Sequence, residues 1–347
     1  MAKHNATERH PARDRAAVRT MALAMVGLTI FVIAMIASYS GAFAKPTLHH
    51  MEVAVAGPEQ IINGVRSQDS LEVTAVGDDA TARAQVFERK ADAAFVIPPD
   101  GELKIYVAGG GGRSVADAAE TVGRTIAARA GLTSVVDDVA PASVGDPSGT
   151  VEFYAIIFIS IGASVGATVF SRIMGSVREP VTLALRTATL VAYSALLAGA
   201  VTVYVDAILG ALTGHMWQVF GALWLYAMAV GGAVTGVAAA FGSVASMALT
   251  AFLVVIGNAA AAGPVGRPLL SGFYSTFTAI VPQGSGVALL RSVEYFGGNG
   301  AAMPIVTLLI WGAAGCLFAI VATATRVNYR ALHERFPDLV RRDRAVL

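Results

Sequence analysis

Charge is what this sequence has least of. Of its 347 residues only 14% are Asp, Glu, Lys or Arg, while 55% are hydrophobic; an ordinary soluble domain carries about 25% charged residues. From Ala207 to Gly266 there is no charge at all, a run of 60 residues. A water-soluble domain would expose large apolar patches over such a stretch, so a soluble enzyme is excluded. Cysteine is nearly absent too. Cys316 stands alone in an apolar segment, which excludes disulfides and a Cys-based metal site. The six histidines never fall at i, i+4 spacing, and His49 and His50, adjacent in a strand, would point to opposite faces. No metal site is expected from such a set. A net charge of +1 gives no basic field for nucleic acid. No Gly-Lys-Ser/Thr follows a glycine loop, so the Walker A motif is missing and the chain cannot itself be an ATPase. No Ser-His-Asp or paired-carboxylate constellation occurs in the apolar segments, so no enzyme activity and no cofactor are expected.

What is present is a series of spans. A membrane-crossing helix needs about 20 apolar residues, and Thr20–Ala44, Phe153–Ser171, Thr187–Val205, Trp217–Phe241, Val244–Ala262 and Met303–Thr325 supply six. The uncharged block divides at Leu212–Trp217 and at Phe241–Ser243, where turn residues cluster. Basic residues set the orientation. Lys3, Arg9, Arg13, Arg15 and Arg19 precede the first span, Arg172, Arg178 and Arg186 follow the second, and Arg326, Arg330, Arg335, Arg341, Arg342 and Arg344 follow the last. With six spans all three segments fall on one side, so both termini are predicted cytoplasmic in a multi-pass protein of the cell (plasma) membrane. The expected organisation is a tail at 1–19, a first span at 20–44, an extracytoplasmic domain at 45–150, a five-helix membrane domain at 151–325 and a tail at 326–347.

The 45–150 insert holds nine basic and 15 acidic residues, hence a net charge of −6. Met51–Gly57 alternates like a strand, and Pro58 opens a short helix after it. Leu71–Gly77 reads as a second strand. A helix follows, capped by Asp78 or Asp79. Ala91–Gly101 is a strand closed by Pro98 and Pro99, and Leu103–Gly109 returns as its hairpin partner. Gly109–Gly112 reads as a flexible break, Ser114–Gly131 as an amphipathic helix, and Asp137–Gly149 as a polar linker. A small α/β domain is expected. The fold class is therefore a polytopic α-helical membrane protein of six transmembrane helices, with the α/β domain between helices one and two.

Three stretches carry a likeness to a known family: KADAAFVIPPDGELKIYVAGG in the insert, Gly257–Leu270, and Thr278–Gly300, where Pro282, Gly284, Gly286, Arg291 and Phe296 fit the pattern. With the order of elements, they make the chain resemble the membrane subunits of type-2 ABC exporters, in the branch of the phage-infection-protein-like permeases. The resemblance implies a permease subunit that moves an amphipathic or lipidic substrate outward. A separate cytoplasmic ATPase subunit would power it, and two permeases would act as a homodimer or heterodimer in contact with membrane lipid. It also implies a re-entrant extracytoplasmic segment at 264–302, with Pro282, Gly284, Gly286, Arg291 and Glu294 as gate residues. The loop with Arg172, Arg178, Glu179 and Arg186 would couple to the ATPase. That loop departs from the family, lacking the paired glutamates thought to dock it.

Other features have two readings each. The loop arginines satisfy the positive-inside rule or pair with acidic groups on an ATPase. Gly162/Gly166 and Gly232/Gly236 permit close helix approach, within one subunit or across two. Asp206 is an interfacial residue or, less plainly, part of a proton path. Arg291 and Glu294 share a helical face and suit a local ion pair. Tyr193, Tyr204, Trp217, Trp224 and Tyr226 suit interface anchors or packing groups. The alternative function is a non-transporting receptor or envelope-assembly scaffold working through the acidic insert.

Overall fold

The computed structural model describes residues 11–97, 101–174 and 180–335. Its first helix, α1 (Pro11–Phe43), precedes a five-stranded α/β unit. In that unit β1 (Met51–Ala56), α2 (Glu59–Arg66), β2 (Leu71–Ala75), α3 (Asp79–Phe87), β3 (Ala93–Val96), β4 (Glu102–Val107), α4 (Arg113–Ala130) and β5 (Thr133–Asp138) follow in order. The strand order is β2-β1-β3-β4-β5. β1 pairs in parallel with β2 and β3, β3 and β4 form the antiparallel hairpin, and β5 adds in parallel to β4. The sheet is covered on both faces. Met51, Val53, Val55, Phe95, Leu103 and Ile105 pack against α4, whereas Ala54, Ala56, Ala94 and Val96 pack against Ala82 and Val86 of α3. This explains the near-continuous apolar runs of the central strands. Asp78 caps α3 by accepting from Thr81 N at 2.7 Å.

Two readings of the insert need correction. The linker expected from Asp137 begins inside a strand: β5 ends at Asp138, and its alternating exposure marks it as a sheet edge. The Gly109–Gly112 run is an ordered 3₁₀ turn rather than a flexible break, with Gly109 and Gly110 buried.

The helical body consists of α5 (Val151–Ile173), α6 (Pro180–Val203), α7 (Met216–Phe241), α8 (Ser243–Phe252), α9 (Gly272–Thr278), α10 (Pro282–Tyr295) and α11 (Ala302–Arg335). Among the described residues, five helices are long and apolar enough to cross a membrane: Ala17–Phe43, Val151–Ile173, Val181–Ile208, Met216–Phe241 and Ala302–Arg326. The protein is thus a multi-pass helical membrane protein. The segment expected at Val244–Ala262 is a shorter apolar helix, Ser243–Gly257. It changes pitch at Leu253–Gly257 into a π-helical turn, a distortion that frees backbone carbonyls and recurs at functional sites.

Small residues set the closest approach in the body. A Cβ on Gly236 would collide with the backbone of Gly315 in α11, and one on Gly315 with Gly232. The Gly232/Gly236 pair therefore serves a contact inside one subunit. The Gly162/Gly166 pair receives the ring of Tyr193 instead, whose hydroxyl donates to Gly162 O at 3.1 Å.

Candidate functional site

The α/β unit meets the helical body at α10. Gly263, just after the short apolar helix Ser243–Gly257 (the fifth apolar helix in chain order, called the fifth helix below), lies against Phe153 near the head of α5. Further on, Trp311 Nε1 of α11 donates to Ile280 O at 2.9 Å, and Gln283 reaches Ser160 at 3.1 Å. Ser160 lies nine residues into α5, about 13 Å below its head. α10 therefore starts deep in the bundle and climbs back to the sheet, while α9 lies on the way in. Pro282 at its first position suits a helix start. Gly284 is needed because a Cβ there would strike Thr278 O, and Gly286 because one would press on Ile156 and Tyr226.

The upper end of α10 sits on the glycine run. A Cβ on Gly110 would collide with Tyr295, one on Gly111 would lie 3.3 Å from Phe296, and one on Gly112 3.4 Å from Arg291 Nη1. Backbone bonds hold this seat in place. Gly110 N donates to Ala140 O at 2.8 Å and Gly109 N to Asp138 Oδ1 at 3.0 Å. Phe296, 1% exposed, enters the core on the α3 face of the sheet. Burying that ring contributes about 2 kcal/mol to holding the two parts together.

Arg291 is 4% exposed and does not pair with Glu294. Its Nη2 donates to Gly149 O at 3.1 Å and Gly263 O at 2.9 Å, and its Nη1 to Ala262 O at 3.3 Å. One guanidinium thus ties the entry to α5 to the exit from the fifth helix. Glu294 turns the other way, where its Oε1 accepts from Gly214 N at 2.8 Å in the α6–α7 connection. The local ion pair suggested by i, i+3 spacing loses to these backbone groups, since buried backbone donors and acceptors are costly to leave unpaired.

Three residues the sequence did not single out complete the joint. Glu152 is 0% exposed, one residue inside α5. Neither of its carboxylate oxygens meets hydrogen-bond geometry, and the groups acting on it are Arg291, Tyr295 and Asp146. Arg89, at the end of α3, donates to Ala288 O at 2.8 Å and to Ser292 Oγ on α10, and its guanidinium stacks 5.0 Å from the Phe296 ring centre. Burial and the like charge of Arg291 lower it to about 10. Asp92 accepts from Glu52 N at 3.0 Å. Burial raises its carboxyl to about 6, against the opposing pull of Arg89 and Arg267. The available signals were an acid at the start of an apolar run (Glu152) and opposite charges three residues apart after a helix end (Arg89, Asp92), both common at plain surfaces.

The predicted coupling loop is only partly in view, since Arg178 and Glu179 lie outside the described residues. Arg172 is exposed at the end of α5. Arg186 is buried against that end, with its Nη2 donating to Ser171 O at 3.0 Å, and it feels the charge of Arg326. Arg326 in turn donates to Ala239 O at 2.6 Å. Asp206 sits in a π-helical turn at Tyr204–Ile208, its carbonyl accepting from Gly210 N at 3.1 Å. Trp217 and Tyr204 are exposed at the same end of the body as the α/β unit, as interface anchors would be, but Tyr226 is fully buried. Leu183, Ala184, Thr187, Ala188, Val191 and Ala192 form a shallow, open, mostly apolar strip along one face of α6. Among the described residues no group of three or more His, Cys, Asp or Glu could hold a metal ion.

The fold and joint together define a class: a multi-pass helical membrane protein whose α/β domain rests on a helix climbing back through the bundle. Compared with protein-family models, curated proteins and solved structures, the chain matches none of them.

Proposed function

We propose that the chain is the membrane-spanning permease subunit of an ABC-type exporter for an amphipathic or lipidic substrate. The observation that carries this reading is α10, which rises between α5, α7 and α11 to end beneath the α/β domain. A re-entrant helix before the last span is what the family resemblance requires at 264–302. In this reading Ser243–Gly257 is a short fifth span, giving six, the α/β domain is extracytoplasmic and both termini are cytoplasmic. Gly284 and Gly286 let α10 pack closely, while Arg291 and Glu294 act as clamps of the outer gate rather than as a pair. Two copies would enclose the pathway. A separate ATPase would dock on Arg172, Arg178, Glu179, Arg186 and the tails.

Purification of the tagged full-length chain from native membranes tests the reading. The expected result is a co-purifying Walker A protein and ATP-driven movement of a lipid probe in reconstituted vesicles. A chain that purifies alone, and stays inert when the ATPase of a neighbouring reading frame is added, overturns it. The scaffold reading draws on the clamped, acidic α/β domain. Because the glycine run is the seat of α10, deleting residues 50–145 would disturb both readings at once. Charge reversals on the exposed face of α4, such as Glu120→Lys, separate them: loss of the phenotype with transport intact favours the scaffold.

A further inference from the structure

At the lower end of α10 a ring of uncharged polar side chains closes inside the helical body. Gln283, 0% exposed, donates from Nε2 to Ser160 Oγ at 3.1 Å and to Leu253 O at 3.0 Å, the latter in the π-helical turn. Tyr226 of α7 faces Ser160 and is felt by Tyr39 of α1. Tyr39 faces Asn258, and Gly257 beside Asn258 abuts the Gln283 amide, which a Cβ there would strike. The ring thus passes through α10, α5, α7, α1 and the end of the fifth helix. Ser38 extends it, donating to Val255 O at 2.7 Å and accepting from Tyr274 of α9 at 3.0 Å.

The ring is not internally satisfied. Gln283 Oε1, Asn258 Oδ1 and Nδ2 and Tyr226 OH are all buried and meet no hydrogen-bond partner. Each such atom costs roughly 1–3 kcal/mol, and in a membrane interior no lipid group can make up the loss. Both donors and acceptors are left over, from amides and a phenol, with no ionised group in the ring. That chemistry suits a small neutral molecule that both gives and takes hydrogen bonds. Ser160 and Tyr226 lie nine and ten residues into their helices, about 13–15 Å from the heads of α5 and α7, near the middle of a hydrocarbon core about 30 Å thick. Tyr39, four residues from the end of α1, lies about 6 Å from that end, so the ring slants from the middle of the core toward the α/β unit.

We infer that the Gln283–Ser160–Tyr226–Tyr39–Asn258 ring is an intramembrane binding site for water, which bonds the left-over amide groups of Gln283 and Asn258 and the Tyr226 hydroxyl. A buried water typically makes about three such bonds to otherwise unsatisfied groups. Bound there, it also supports the backbone where the fifth helix changes pitch.

Radiolytic hydroxyl labelling of the full-length protein in lipid nanodiscs, read by mass spectrometry, tests the site, because radicals formed from bound water modify the residues touching it. Tyr226 and Tyr39 are expected to label several-fold faster than Phe95 and Phe296, which are buried in the apolar sheet core. Tyr39 labelling is expected to fall several-fold in Tyr226→Phe, which removes a single hydroxyl, and in Gln283→Met. Wild-type Tyr226 and Tyr39 labelling no faster than Phe95 overturns the inference. So does Tyr39 labelling that is unchanged in folded Tyr226→Phe and Gln283→Met.

Discussion

The α/β domain and the helical body treat polar side chains in opposite ways. In the domain, charge stays outside except for Arg89 and Asp92 at the joint: Arg113–Asp117 at 3.0 Å and Lys104–Asp79 at 2.8 Å lie at the surface, and Met51, Phe95, Leu103 and Ile105 fill the interior. In the body, aliphatic groups such as Leu28, Ile36, Leu196 and Ile310 face outward, while Glu152, Ser160, Asn258, Gln283 and Arg291 are buried. Water drives the first arrangement by rewarding removal of apolar surface. Lipid gives no such reward, so helices cohere through close backbone approach and internal hydrogen bonds. One chain therefore has two kinds of core, and they should fail in different ways.

The largest effect is expected at Arg291, where the two regions meet. Arg291→Ala leaves Gly149, Ala262 and Gly263 carbonyls without their donor and Glu152 without its cation. A loss of about 3–5 kcal/mol is expected for breaking such a buried set, read as a fall in midpoint of thermal unfolding in lipid. If Arg291→Ala proves no worse than a surface substitution, the joint is not what binds the two cores. Gly236→Leu comes next and probes the body alone. Driving a side chain into Gly315 should cost about 1–3 kcal/mol or more, whereas Gly221→Leu, with open space around its Cβ, should be nearly neutral. Equal effects at the two glycines would deny that close approach holds α7 to α11.

Asp92 sharpens the contrast through pH. A carboxyl held at about 6 in the folded protein, against about 3.9 when unfolded, leaves the fold least burdened below pH 4. Stability contributed by the neutral form is lost as pH rises through about 6, by roughly 2–3 kcal/mol. Asp92→Asn should therefore be more stable than the parent at pH 8 and no more stable at pH 4, measured by denaturant titration at both values. The opposite sign would mean that Arg89 and Arg267 outweigh burial. The smallest effect is expected at Arg124→Gln, which removes an exposed i, i+4 partner of Glu120; less than about 0.5 kcal/mol should follow.

Much of the domain was legible because its periods are local. Alternation marked β1 and β2, the proline and glycine after Val96 marked the β3–β4 hairpin, and the pair Asp78-Asp79 announced α3. β5 was hidden because Asp137 and Asp138 close it and read as linker. The body was legible as apolar spans, but its contacts were not. A glycine run looks the same whether it is a loose loop or the seat for Tyr295 and Phe296, since the difference lies in residues 185 positions away (Gly110 to Tyr295). Likewise, the spacing of Arg291 and Glu294 is compatible with a pair, yet carbonyls brought from 149, 262 and 263 take the guanidinium. Gln283 sat unnoticed between the two residues, Pro282 and Gly284, that attracted attention.

The first helix has a mechanical consequence. Between Val18 and Ile36 most of its large side chains stand exposed, and among its described residues Ser38, Tyr39, Ala42 and Phe43 enter the polar ring or the packed clusters of the body. The span Ala17–Phe43 is about 40 Å long, longer than a hydrocarbon core of about 30 Å. A rod pinned at one end and too long for its medium leans, and its lean follows bilayer thickness. The pin lies beside the fifth helix where it changes pitch, so α1 would report the thickness of the surrounding membrane to the part of the bundle that is least regularly built.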